Sequence, residues 1–379
     1  MPERKNQHYV PQHYLRAWAN NGQLDIFHLG SKGTFSEGQD SVCSRNYFYG
    51  NPPVVEEELA ELEGYHARPL NALRGGDDLT NLSDQYIQLL LSFVTTQRTR
   101  TKATKDDIRD GDDFIREAVR DDMEADRYED RIMWTSDLTE EEKEDTLVDA
   151  SLLGTHHYMM TLGIFGHIGI GDLEGVMLRN TTDREFIISD VPVVHDIPPY
   201  KRKHGLVPAG LANRGLQIFC PIDRNRILLL YDPAVYHFDH NSRKQVLIKS
   251  SDVVNQLNLL QFHNAENIVM YDSSDEDYIT TLYSRIDEAR RREEITVPLE
   301  TESGLTEHID KTPAYQVPKL SPDLPDCKTM THLPYVKQRP SSQSERVQNI
   351  VRRIFNESRG PDIGLIRSIR VFENMMEQN

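Results

Sequence analysis

Cysteine, tryptophan and positive charge are all scarce in this chain of 379 residues. The three cysteines, Cys43, Cys220 and Cys327, are an odd number at wide spacing with no CxxC pair, which excludes the usual zinc and dithiol motifs and fits a reducing compartment. Lys and Arg total 43 against 61 Asp and Glu, a formal net charge of -18. Such a balance repels a nucleic-acid backbone at long range, so any phosphate-bearing ligand must meet a local basic site. No apolar run approaches bilayer length, and the opening MPERKNQHYVPQHYLRAWAN lacks the apolar core of a signal peptide. The expectation is a cytoplasmic protein with no membrane contact.

Several catalytic signatures are missing too. No GxSxG elbow is present, and His156-His157 are adjacent rather than spaced four apart as in HExxH metalloproteases. Gly163, Gly166, Gly169, Gly171 and Gly175 lack the Lys-Ser/Thr that completes a phosphate-binding P-loop. No internal repeat is visible.

What remains is a globular composition, 37% hydrophobic and 27% charged. Pro11 can open a short helix whose buried face carries Tyr14, Leu15 and Trp18. Leu24 to Leu29 reads as a strand, with a second around Tyr47 to Tyr49. From Glu56 the residues Leu59, Leu62, His66, Leu70 and Leu73 recur at helical spacing, with Pro69 inside the run. Ser83 is a suitable N-cap for a helix with the stripe Ile87, Leu90, Leu91 and Val94, whose continuation reaches Gln97 and Arg98. A helix from Thr146 to Leu162 should end at the glycines. Residues 176–178 and 185–188 suggest a hairpin, Gln217 to Cys220 and Ile227 to Tyr231 two further strands, Asp252 to Asn264 a helix and Asn267 to Tyr271 a strand. The charged stretch that follows to Glu294 also looks helical.

The fold class predicted is α+β, a helical layer with a small, mostly antiparallel sheet and a proline-rich C-terminal extension. Residues 1–296 are expected to form a composite core with a charged helical excursion at about 104–146. Residues 297–379 read as a proline-rich arm ending in short helices near Ser344 to Asn356 and Gly360 to Met376.

The run His8-Tyr9-Val10-Pro11-Gln12-His13-Tyr14-Leu15, then Gln97-Arg98-Thr99, then Phe186-Ile187-Ile188-Ser189-Asp190-Val191-Pro192 resembles a mainly microbial family, domain of unknown function 4238, whose members open with His-Tyr-Val-Pro-Gln. The resemblance covers roughly residues 6–275 and extends to Glu63, Cys220-Pro221-Ile222 and Asn258. It implies a shared fold and a shared site, and no particular reaction.

The residues themselves point to the same positions. Gln97 and Arg98 continue an apolar helical face, where a guanidinium without a partner is costly, so a carboxylate or bound anion is expected nearby. Glu63 and Asp190 are the two candidate partners. Asp190 ends a hydrophobic strand, where functional carboxylates occur, yet Asp-x-Pro is also an ordinary turn. His8 and Gln12 flank the helix start at Pro11, a place that favours anions, although a lone histidine also packs locally. The basic loop Lys201-Arg202-Lys203-His204 could touch phosphate or simply be solvated.

Two functions compete. The first is a metal-dependent phosphodiesterase or nuclease, such as a microbial defence effector. Asp190, Glu63 and His8 would be its catalytic residues, Gln12, Gln97 and Arg98 would bind substrate, and Asp190 and Glu63 would hold Mg²⁺ or Mn²⁺. Its partner would be nucleic acid or another phosphate-bearing ligand. Against it stand the net charge and the lack of an Asp…Glu-x-Lys or HNH pattern. The second is a non-catalytic binding or regulatory module with a buried polar network, engaging a protein partner or a second copy through the C-terminal region. An open pocket around the six polar residues favours the first, a closed network the second.

Overall fold

The computed structural model describes residues 5–110, 116–117, 119–121, 123, 139–199, 210–272, 276–286, 295–301, 304–310, 320–331, 333, 337–358 and 360–378. The basic loop at 201–204 and much of the charged excursion lie outside them. So do residues 287–294, which end the charged stretch, and 311–319 of the arm.

The fold is α+β. Helices α1 (Gln12–Leu15), α2 (Val54–Gly75), α3 (Asp84–Thr99), α4 (Lys102–Asp110) and α5 (Glu140–Gly169) form the first half with four short strands, β1 (Asn6–His8), β2 (Gln23–His28), β3 (Gly33–Gly38) and β4 (Ser44–Asn46). Then come β5 (Glu174–Asn180), β6 (Ile188–Ser189), β7 (Val194–Asp196), β8 (Gln217–Asp223), β9 (Arg226–Tyr231), β10 (Tyr236–Phe238) and β11 (Gln245–Ile248). After α6 (Ser251–Asn264), β12 (Ile268–Tyr271) and α7 (Glu276–Tyr283), the chain adds the hairpin β13 (Ile295–Thr301) and β14 (Gly304–Asp310), then β15 (Cys327–Thr329), α8 (Ser344–Asn356) and α9 (Pro361–Glu377).

Two larger sheets, with three two-stranded pairs beside them, carry the β structure of the described residues. One has the order β11-β5-β9-β8-β7 and is antiparallel except for the β5–β11 pair; the other, β3-β2-β12-β6, is wholly antiparallel. The pair β1–β4 sets His8 opposite Ser44 and fixes the entry to α1. Short-range signals explain much of this. Ser83 caps α3 by accepting from the Tyr86 amide, Ser250 caps α6 through the Asp252 amide, and Thr139 and Glu142 make a reciprocal capping box at α5. The α2 stripe Leu59, Leu62, His66, Leu70 and Leu73 is buried as its spacing requires, with Pro69 inside the helix.

Four local expectations are corrected. Pro11 precedes the first turn of α1 as its N-cap instead of occupying it. The strand near Tyr47 lies at Ser44–Asn46, and Tyr47 itself turns with φ 52°. Residues 176–178 and 185–188 do not pair: β5 lies between β9 and β11, while β6 joins β12 in the other sheet. An Asx turn at Asn180, whose Oδ1 accepts from the Thr182 amide, leads the chain away from the first sheet. Finally, Gly163, Gly166 and Gly169 do not end the helix at Leu162, because α5 runs through them to Gly169. At Gly163 an added Cβ would sit 3.0 Å from the Thr95 carbonyl oxygen and the Thr96 Cα, and at Gly166 it would sit 2.7 Å from the Thr95 Cβ. These glycines let α3 and α5 approach closely.

The helices and the five-stranded sheet share one hydrophobic core. Val347, Val351, Ile354, Leu365, Ile369, Phe372 and Met376 of α8 and α9 belong to it, so the end of the chain wraps the body of the protein. A smaller cluster, including Phe27, Phe262, Val269 and Ile279, lies between the second sheet and helices α6 and α7. Among the described residues, no helix is long and apolar enough to cross a membrane.

Candidate active-site cleft

One face of α2, built from Glu56, Ala60, Glu63, Gly64 and Ala67 at helical spacing, opposes β1 and α1 across a cleft of about 540 Å³. His8, Gln12, His13 and Arg16 supply the opposite wall, and Asp40 closes one side. Three of the six expected residues, His8, Gln12 and Glu63, therefore meet here.

The arginine that serves this cleft is Arg100, two residues beyond the one expected. It follows α3 as its C-cap and is almost wholly buried. Its Nη2 donates to Glu63 Oε1 at 2.7 Å and to the His8 carbonyl at 2.6 Å, and its Nε donates to the Tyr49 hydroxyl at 3.2 Å. Tyr49 in turn donates to the His8 carbonyl at 3.1 Å. One buried cation thus fixes both the carboxylate and the backbone that carries the first imidazole. Burial opposes the charge on Arg100, but Tyr49 and Glu63 outweigh it and the guanidinium stays protonated.

Glu63 Oε2 lies 3.9 Å from His13 Nδ1. Burial and then the cations Arg74, Arg100 and Arg16 push His13 down to about 3, so its ring is neutral in the folded protein. His13 Nε2 is enclosed and makes no hydrogen bond to any described residue. His8 is also shifted down, mainly by burial, against an opposing pull from Glu63. Its Nε2 lies 3.3 Å from Gln12 Nε2, a contact in which the amide donates and the ring accepts.

The other three expected residues sit elsewhere. Gln97 is buried and donates from Nε2 to the Tyr9 carbonyl at 3.0 Å, so it braces the strand end behind His8. Arg98 lines a separate cavity of about 300 Å³ with Thr95, Gly163, Gly166 and His195. Asp190 is buried, and its two carboxylate oxygens each accept a backbone amide, from Glu266 and Asn267, both at 2.8 Å. The carboxylate ties the end of β6 to the start of β12 through bonds distant in sequence, not the local ones of an Asp-x-Pro turn. Glu63 lines the 540 Å³ cleft and Asp190 does not. Among the described residues, no group of three His, Cys, Asp or Glu side chains is arranged to hold a metal ion.

Sequence reasoning passed over His13 and Arg100. The first lies inside the His-Tyr-Val-Pro-Gln-His run and was open to notice; the second carries no local signal, since only the packing of α3 on α2 brings it to Glu63.

This is an α+β protein with a cleft formed by an N-terminal motif, a helical glutamate and a buried arginine. The chain belongs to the family described as protein of unknown function (DUF4238), whose model matches residues 6–275 and so contains every residue of the cleft. No curated protein and no solved structure matches it significantly.

Proposed function

We propose that the protein is an enzyme that cleaves phosphodiester bonds, a nuclease, working at the His8–His13–Glu63 cleft. The observation that carries this reading is that two imidazoles and a carboxylate from three elements reach one open cleft, with the carboxylate held from behind by Arg100. Glu63 has one oxygen committed to Arg100 and the other directed toward His13, which suits it to take a proton from an attacking water or to meet a divalent ion arriving with a phosphate. His13, kept neutral and with its Nε2 enclosed, turns Nδ1 toward Glu63 and would orient that carboxylate as it takes the proton. His8, with Gln12 on its Nε2, is the second proton acceptor, and Gln12 is the group that would exchange its contact for substrate. Arg16 on the rim supplies an exposed cation.

The test is incubation of the full chain with single- and double-stranded RNA and DNA, with and without Mg²⁺ or Mn²⁺. His13→Gln and His8→Asn should lower the cleavage rate by about 10²-fold or more while the melting temperature changes little. A wild-type protein that cleaves none of these substrates under any condition overturns the proposal.

A second reading, a binding module with a fold-specifying polar network, is favoured by Gln97 and Asp190. Both are buried, and both direct their side-chain hydrogen bonds to backbone groups. It would leave the cleft as a receptor without turnover.

A further inference from the structure

On the far side of α1 from Glu63 lies a second cleft, of about 600 Å³, that is unusual for so acidic a chain. Five arginines line it, Arg74, Arg179, Arg224, Arg226 and Arg243, against three aspartates, Asp77, Asp78 and Asp223. The aspartates are largely engaged at home. Asp78 accepts from the amide and hydroxyl of Thr80, and Asp223 pairs with Arg226 at 2.5 Å and accepts from the Asn225 amide.

Three of the cations are matched too, Arg226 by Asp223, Arg224 by Glu185 at 3.3 Å and by Asp272, and Arg74 by backbone carbonyls, which leaves Arg179 and Arg243. In the β5–β9 ladder Arg179 stands directly opposite Arg226. Like charges so opposed weaken a sheet unless something neutralises them. Arg179 is exposed and makes no hydrogen bond or ion pair to any described residue. Arg243 is 65% exposed and comes no closer than 3.8 Å to Asp78. The arrangement therefore offers positive charge to an outside anion.

This cleft is also joined to the first. Arg74 donates from Nη1 to the His13 carbonyl at 2.9 Å and from Nη2 to the Tyr14 carbonyl at 3.2 Å, and Ala17 lines the second cleft while Arg16 lines the first. Cations thus follow one another from Arg16, over α1, to the β8–β9 turn and the loop before β11. A single phosphate would use Arg179 or Arg243, whereas a chain of phosphates can use both and reach on to Arg16.

We propose that the arginine cleft binds the sugar-phosphate backbone of a nucleic-acid strand and leads it across α1 to the His13–Glu63 cleft. This rests on the reading of that cleft as the place of phosphodiester cleavage, and adds where the strand is held and why an acidic protein can hold it.

The experiment is fluorescence anisotropy of the full chain with a labelled mixed-sequence oligonucleotide, single-stranded and duplex, across a salt series. Inorganic phosphate and a nucleoside monophosphate serve as competitors. Binding should weaken as salt rises, and the double variant Arg179→Ala with Arg243→Ala should bind about tenfold more weakly at low salt, with a shallower salt dependence by roughly one to two in log–log slope. Binding is measured apart from cleavage, so a wild-type protein that binds the strand but cuts no substrate separates a failure of chemistry from a failure of binding. The proposal is overturned if wild type binds no oligonucleotide at low salt, or if the double variant binds with unchanged affinity and slope. It is equally overturned if the monophosphate competes as well as the oligonucleotide, which would mark a site for a small phosphate.

Discussion

Arg100 and Glu63 meet at 2.7 Å, the arginine almost wholly enclosed and the glutamate one-fifth exposed on the wall of the cleft. A buried pair of this kind contributes little as a unit compared with well-packed apolar side chains, yet removing one partner leaves the other stranded. Arg100→Ala should accordingly cost about 3–5 kcal/mol, and Arg100→Lys less, because an ammonium keeps a counter-charge near Glu63 although it cannot serve Tyr49 and the His8 carbonyl in the same fork geometry. Urea unfolding of the three proteins checks this. A loss below about 1 kcal/mol for Arg100→Ala would show that water replaces the guanidinium without penalty.

Asp190 separates a structural carboxylate from a catalytic one. Both oxygens accept backbone amides, so Asp190→Asn turns one acceptor into an NH₂ facing an N–H. The expected loss is about 2–4 kcal/mol, from charge-assisted bonds worth roughly 1.5–3 kcal/mol each. Chemical denaturation with and without Mg²⁺ should show the same loss in both conditions. A variant with unchanged stability and no turnover would return Asp190 to the chemistry.

The crossing of α3 and α5 leaves no room for a methyl group at two positions. Gly163→Ala drives a Cβ against the backbone of Thr95 and Thr96, which cannot rotate away, and should cost about 1–3 kcal/mol despite the better helix propensity of alanine. Thermal melts of Gly163→Ala and, as a control, Gly64→Ala, where an added Cβ meets nothing within 4 Å, would separate packing from propensity. Equal melting temperatures would contradict the close approach.

Acid should unfold this protein early. His13, His66 and His156 are all shifted down from 6.5, first by burial and then by neighbouring cations or imidazoles. The folded state holds these rings neutral while the unfolded chain protonates them, so below 6.5 the unfolded state binds more protons and stability falls with pH. For His13 the loss continues down to about 3. Each such ring steepens the slope by up to about 1.4 kcal/mol per pH unit, and none contributes above neutrality. Denaturation midpoints between pH 4 and pH 8 test it; His13→Gln should flatten the acid limb, and an unchanged limb would remove His13 from the account.

The C-terminal helices act as part of the core. A chain ending at Thr296 loses Val351, Leu365, Ile369, Phe372 and Met376, each worth about 1.5–3 kcal/mol when fully buried. It should be insoluble or bind an apolar dye. A soluble truncated protein with the melting temperature of the whole would show instead that this region is an accessory.

The sequence by itself determined what depends on neighbours along the chain. The periodic stripe of α2 placed that helix, Ser83 placed the start of α3, and β8, β9 and β12 followed from short β-rich runs. The family motif brought His8 and Gln12 forward, and Glu63 stood beside a readable stripe. Only tertiary structure decided that 176–178 and 185–188 part into different sheets, since strand partners are chosen by the core and not by proximity in sequence. It also decided which arginine meets Glu63. Residues two apart at the end of a helix project about 200° from one another, so Arg98 and Arg100 face different neighbours. Nothing local distinguishes their side chains. The packing of α3 against α2 on one side and α5 on the other sends Arg100 to the carboxylate and Arg98 to a separate cavity.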